Sequence, residues 1–177
     1  SVGGFLESYS FLSRDGVFAN CQTGNLVLLA MYLVKGDWAR VLSYFIPVVS
    51  FIIGVVLTEI TRIYANHHKL HWRQYIILLE AALLAAVGLI PSGEDNFIAT
   101  TLIAFSCSMQ VEAFRKVKGS VYATTMCTGN LRSGTESLSI YLRDKRPEAL
   151  RKALHYYGII CVFALGAGAG GICSLHI

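Results

Sequence analysis

The sequence predicts an all-α integral membrane protein. About six to seven transmembrane helices are expected, as two degenerate three-helix repeats joined by a linker helix, with helices broken at a Thr-Gly-Asn motif in each repeat. Three observations predict this. First, hydrophobic residues make up 54% of 177 positions and charged residues 15%, against about 25% charged in a soluble domain. The mean hydropathy is +0.54, too apolar for one aqueous core to hide. Second, uncharged runs approach the roughly 20 residues that a spanning helix needs: Val17 to Val34, Val41 to Thr58, Asn96 to Val111 and Ala153 to Ile177. Third, the chain repeats itself. Thr23-Gly24-Asn25-Leu26 returns as Thr128-Gly129-Asn130-Leu131, an offset of 105 (128 − 23). Glu7 and Glu112 share that offset, each followed two residues later by an aromatic, Tyr9 or Phe114. Arg40 to Phe45 resembles Lys152 to Tyr157 at an offset of 112 (152 − 40), which also brings Gly54 onto Gly166. A polar group recurring in an apolar setting is how many transporters build a pseudo-symmetric site.

Helical segments are expected at about 1–13, 17–34, 41–64, 74–91, 96–115, 121–142 and 153–176. They form a single membrane domain: repeat one about 1–65, a linker helix about 74–91, repeat two about 96–177. The first segment carries Glu7 in an apolar stretch. The second and sixth contain Thr-Gly-Asn. Glycine weakens a helix by about 1 kcal/mol relative to Ala, and Thr and Asn offer the backbone other hydrogen bonds. The motif therefore predicts a break or N-cap inside the membrane, presenting free N–H groups and a positive dipole to an anion or polar solute. Helix packing with Asn bonded across an interface is the alternative. Asn20, Gln22, Thr124 and Thr125 add hydrogen-bonding capacity.

The third segment ends on Glu59 and Arg62, an expected interfacial pair. The unmatched fourth holds Glu80, either a partner for a basic group or a proton-titrating site. The fifth holds Glu112, with Arg115 three residues on as its expected partner. Glu7 and Glu112 together read as a carboxylate pair for proton or cation coupling, or as structural ion pairs. The sixth segment is the most polar, with Arg132 and Glu136 four apart and able to pair. It is the expected cavity-lining helix, a surface amphipathic helix being the alternative. Its counterpart, with Val27, Leu28 and Leu29, is expected to face lipid. Gly166 to Gly171 is no phosphate loop, because no strand precedes it and no Lys-Ser/Thr follows; small residues at this density predict close helix packing.

Four crossings between the first and fifth segments would give the two repeats the same orientation, a parallel repeat. Loop charges test the topology. Arg62, Lys69 and Arg73 place one loop in the cytoplasm, Glu94 and Asp95 place the next outside, and Arg115, Lys116 and Lys118 place the third inside. The following loop, with Arg143, Lys145, Arg146, Arg151 and Lys152, breaks the rule if the sixth segment spans. Full but broken spans are the reading adopted.

Other classes are excluded. The net charge of +4 sits in short loops without a Lys/Arg track, so nucleic acid is not a partner. The five cysteines lack ligand spacing and read as free thiols. His67, His68 and His71 read as solvated loop histidines. No HExxH or GxSxG occurs, so no enzyme, metal or cofactor is expected. No signal peptide is legible; the chain starts without Met inside an apolar stretch, so an upstream part is expected.

Gly16-Val-Phe-Ala-Asn-Cys-Gln-Thr-Gly-Asn-Leu-Val27 resembles the N-terminal signature of the YoaK-like family of bacterial membrane proteins, a domain of unknown function. Gly4-Phe-Leu-Glu-Ser-Tyr-Ser-Phe-Leu12 fits its "GYVDA-SFL" element, with Glu7 where Asp is usual. Met109-Gln110-Val111-Glu112-Ala113 is similar to "MQNA", with Val111 where Asn is usual. Gly119 to Leu131 is similar to "G-VATT-VTG-L". The resemblance implies a multi-pass protein of the bacterial cytoplasmic (inner) membrane and supplies no activity.

The functional expectation is a small-solute transporter or channel. Asn20, Gln22, Thr23, Gly24, Asn25, Thr128, Gly129 and Asn130 would bind substrate; Glu7, Glu80, Glu112, Arg115, Arg132 and Glu136 would couple or pair. A non-transport scaffold or partner subunit is the alternative, and a membrane-embedded enzyme the weakest reading. The expected partners are the lipid bilayer and a small polar or anionic solute, with a homo-oligomer left open.

Overall fold

The structure, a computed structural model, describes residues 2–64, 71–93, 95–114, 127–176 and, in backbone, 116–117 and 120–121. Seven helices are described: α1 (Val2–Ser13), α2 (Gln22–Lys35), α3 (Trp38–Tyr64), α4 (Trp72–Gly88), α5 (Asn96–Ala113), α6 (Cys127–Asp144) and α7 (Pro147–Ser174). Between α5 and α6 lies a two-residue ladder, β1 (Lys116–Val117) and β2 (Ser120–Val121), antiparallel with Lys116 opposite Val121. Local chemistry explains several ends. His71 and Gln74 form a capping box on α4: His71 Nδ1 accepts from the Arg73 N–H at 3.3 Å and Gln74 Oε1 from the His71 N–H at 3.0 Å. Pro147 opens α7, where its missing N–H is not needed. Gly36, at φ 72°, closes α2 in the left-handed conformation.

The molecule is inverted relative to a soluble domain. Leu42, Phe45, Ile52, Ile53, Val56 and Leu57 are exposed on α3 alone, while Arg14, Asn20, Asn25, Ser50, Thr58, Glu80, Ser106, Ser108 and Asn130 are buried. Water would favour the reverse distribution; a hydrocarbon solvent favours this one. Two helices, α3 with 27 residues and α7 with 28, are long and apolar enough to cross a membrane.

Helix directions follow from named contacts. Arg14, just after α1, bonds the carbonyls of Ile90 and Pro91 and the side chain of Asn96, so α1 ends where α4 ends and α5 begins. We call this the Arg14 end. At the other end Arg73 donates to the Ala113 carbonyl at 2.9 Å, joining the start of α4 to the end of α5; this is the Arg73 end. Ser50 donates to Thr101 O, and Gly54 lies against Phe105 and Ser108, so α3 runs parallel to α5. Gly4 lies against Phe163 and Ala167, and Gly170 against Phe5, so α1 runs parallel to α7. These are the two largest helix contacts, with α6 against α7 next. At Gly54 an added Cβ would stand 2.8 Å from the Phe105 carbonyl oxygen; at Gly4 it would stand 2.9 Å from the Ala167 nitrogen. The small residues of α7 serve close packing, as their density predicts.

Three expectations change. The Thr-Gly-Asn motifs do not break helices. Both lie in first turns, of α2 and of α6, with Phe18 to Asn20 in non-helical backbone before the first. Second, α2 does not run from one end of the bundle to the other. Its 14 residues measure about 21 Å, and residues 14–37 leave and return to the Arg14 end, where Arg40 donates to the Asp15 carbonyl at 3.4 Å. α6 starts beside the start of α2 and ends with the start of α7 at the Arg73 end. Third, α1 and α5 run in opposite directions, not the same one, because only α3 and α4 run from end to end between them.

A cavity between two helix starts

A cavity of about 440 Å³ lies where α2 and α6 begin. Its wall comprises Glu7 of α1; Asn20, Cys21, Gln22 and Thr23; Val48, Phe51 and Ile52 of α3; Cys127, Thr128 and Gly129; and Phe163 of α7. Phe51 is 13 residues from either end of α3 (51 − 38 and 64 − 51), about 20 Å along the axis, so the cavity sits at mid-bundle.

The non-helical leg before α2 explains why these groups converge. It runs back along α1. Phe18 stacks on Phe11 with centroids 4.7 Å apart, and Asn20 Nδ2 donates to the Gly3 carbonyl at 3.0 Å. Glu7 holds the turn into α2: its two carboxylate oxygens accept the Asn20 N–H at 2.7 Å and the Cys21 N–H at 3.2 Å. Asn25, 0% exposed, locks the leg from behind. Its Oδ1 accepts from the Phe18 N–H at 3.0 Å, and its Nδ2 donates to Phe18 O and to Gln22 Oε1, both at 2.9 Å. The bonds to Phe18, Asn20 and Cys21 each satisfy a backbone group that has no helical partner.

What remains open toward the cavity is limited. The Thr23 N–H, in the first turn of α2, has no acceptor among the described residues, and neither the Thr23 nor the Thr128 hydroxyl is hydrogen-bonded there. Asn20, 1% exposed, has an Oδ1 without a partner among the described residues, but that atom is buried and not open to the cavity. An added Cβ at Gly129 would meet nothing described within 4 Å, whereas one at Gly24 would stand 2.7 Å from the Phe18 ring. No Lys, Arg or His is in the wall among the described residues.

The predicted residues therefore divide. Asn20, Gln22, Thr23, Thr128, Gly129 and Glu7 come together at the cavity. Gly24 is packed under Phe18, and Asn25 and Asn130 are buried outside the wall, Asn130 with a partner. Glu112 is half-buried on α5, partnered and outside the wall. Glu80 is buried in α4 with one carboxylate oxygen lacking a partner among the described residues. Arg132 and Glu136 are both exposed on α6 and form no ion pair with each other, contrary to expectation. The expected Glu59–Arg62 pair is present at 2.6 Å. Arg115, Thr124, Thr125, His67 and His68 lie outside the described residues. Phe51 and Phe163 were not anticipated. They are 112 apart (163 − 51), the offset that relates Gly54 to Gly166, and extending that alignment would have found them.

Arg14 was read only as a distant neighbour of Glu7. It is 2% exposed, and all five of its N–H groups are used, on Tyr9 Oη twice, on Ile90 O, on Pro91 O and on Asn96 Oδ1. A second, largely apolar cavity of about 550 Å³ lies beside it, between α1 and the end of α4.

A family described as "Protein of unknown function (DUF1275)" matches residues 1–176. The chain is similar to the UPF0700 transmembrane protein YoaK of Bacillus subtilis (strain 168), 24% identical over 174 residues, which cover 94% of this chain and 76% of that protein. No solved structure matches.

Proposed function

Because the chain belongs to the DUF1275 family of transmembrane proteins of unknown function, we propose that it is a multi-pass protein of the bacterial cytoplasmic membrane that passes a small polar solute through the mid-bundle cavity. Its architecture is read as an inverted repeat: α1, α2 and α3 against α5, α6 and α7, with α2 and α6 as half-helices entering from opposite faces. The pairing of α1 with α7 and of α3 with α5 supports this reading, since each is the image of the other under the two offsets. The observation that carries the function is the meeting of two helix starts at one cavity. Polar backbone at membrane depth is tolerated where it lines a cavity, and half-helix N-termini at the midplane are a recurrent way to build a solute site.

The route to the site is read along α6. Arg132, Thr135, Glu136 and Ser139 form an exposed polar face, whereas the same stretch of α2 exposes Leu26, Val27 and Met31. Charged side chains at such depth require water or protein beside them. This same face favours a second reading, a scaffold or partner subunit in which α6 docks on another chain.

The deciding experiment keeps Cys21 and Cys127 and replaces Cys107, Cys161 and Cys173 by Ala. A membrane-impermeant maleimide is applied to vesicles of either orientation. Transport through the cavity predicts labelling of at least one of the two thiols from a membrane face. Thiols that stay inert until detergent is added would overturn the solute-site reading and leave the docking one.

A further inference from the structure

The chemistry of the cavity wall specifies what fits it, given the solute-site reading. Ions fit poorly. The starts of α2 and α6 both direct positive dipole ends at the space, which disfavours a cation. Among the described residues the one charged side chain in the wall is Glu7, a carboxylate that no described wall cation offsets, which disfavours an anion. Glu7 is tied to the turn into α2, each oxygen accepting one backbone N–H, at 2.7 and 3.2 Å.

The open groups are of both kinds. The Thr23 N–H donates, and the Thr23 and Thr128 hydroxyls can do either. The rest of the wall is apolar, and its two aromatic members come from different helices: Phe51 from the middle of α3 and Phe163 from α7. Phenyl faces favour a flat partner ring. A cavity of about 440 Å³ lies within the usual size of a small-molecule site.

We propose that the cavity binds a small, uncharged, planar heterocycle carrying N–H donors and carbonyl acceptors on one edge, the chemistry of a nucleobase or cyclic imide. The edge meets the hydroxyls of Thr23 and Thr128, and the faces meet Phe51 and Phe163.

The test is thermal unfolding of the intact chain in detergent with uracil, hypoxanthine, nitrate, acetate and methylammonium. Uracil or hypoxanthine raises Tm saturably, and the three ions do not. Gly129→Ala leaves the ligand-free Tm unchanged or raises it slightly, because its methyl meets no described atom, and abolishes the rise. Phe51→Leu and Phe163→Leu each weaken binding about tenfold. Should Gly129→Ala fail to fold, the two Phe variants carry the same readout. Protection by nitrate, acetate or methylammonium alone would overturn this inference while the solute-site reading stands. So would the absence of any protection when the cavity thiols react with maleimide. If the thiols are inert as well, both fall.

Discussion

Arg14 shows how one residue can fix a fold without touching the site. Its guanidinium ties α1 to the connection between α4 and α5 through three acceptors, on Ile90, Pro91 and Asn96. Arg14→Met leaves the Ile90 and Pro91 carbonyls without donors and is expected to lower stability by about 3 kcal/mol. Arg14→Lys restores little, because a single ammonium cannot span acceptors that the planar fork reaches together. Thermal unfolding of both variants checks this, and a lysine variant as stable as wild type would refute it. Asn25 is expected to behave the same way. Asn25→Ala unpairs both backbone groups of Phe18 and should cost roughly 2 kcal/mol. Any effect on ligand affinity would follow from the loosened leg. The asparagines were legible as special because they recur in an apolar chain. That Asn25 braces the leg before α2 depends on the path of residues 14–21, which no spacing reveals.

Among the elements, α2 and α6 depart furthest from what periodicity suggests. Both follow polar, glycine-containing sequence, and hydropathy alone cannot separate a crossing from a hairpin of one extended leg and one helical leg. The seven helices and most of their limits were legible, since uncharged runs and charged loops mark them directly. Direction was not, because a single segment miscounted as a crossing reverses everything after it. Close packing separates glycines by role. Gly54→Ala forces a methyl against Ser108 Oγ and Phe105 O and should destabilise by about 1–3 kcal/mol. Gly158→Ala, on the open side of α7 with nothing within 4 Å, should be neutral or stabilise by up to about 1 kcal/mol. Melting temperatures that move together in the two variants would contradict the assigned interface. At the link between α6 and α7, Arg143 hydrogen-bonds Asp144 at 2.8 Å and holds its carboxyl below the usual range. Arg146 lies 3.7 Å from the same carboxylate.

For the whole molecule, the half-helix reading reconciles the loop charges that full spans could not. Arg62, Arg73, Arg143, Lys145, Arg146, Arg151 and Lys152 fall at one end with Glu59, Asp144 and Glu148, against Arg14, Lys35 and Arg40 with Asp15, Asp37 and Asp95 at the other, so the basic residues are more numerous at the Arg73 end. The positive-inside rule then predicts a cytoplasmic Arg73 end. Lys145→Cys should be labelled only from the cytoplasmic side and Asp37→Cys only from outside; labelling of both from one side would contradict the orientation. The crossed pairing of helices also constrains how the protein is made. α1 has its largest partner in α7, which is synthesised after every other described helix, and α3 must wait for α5. A ribosome that has finished the first three helices has produced no completed packing unit, and α1 remains solvated by lipid, or held by insertion machinery, until α7 emerges. Two fragments cut in the connection between α3 and α4 should therefore be unstable apart yet reassemble when synthesised together, each supplying the helix the other lacks.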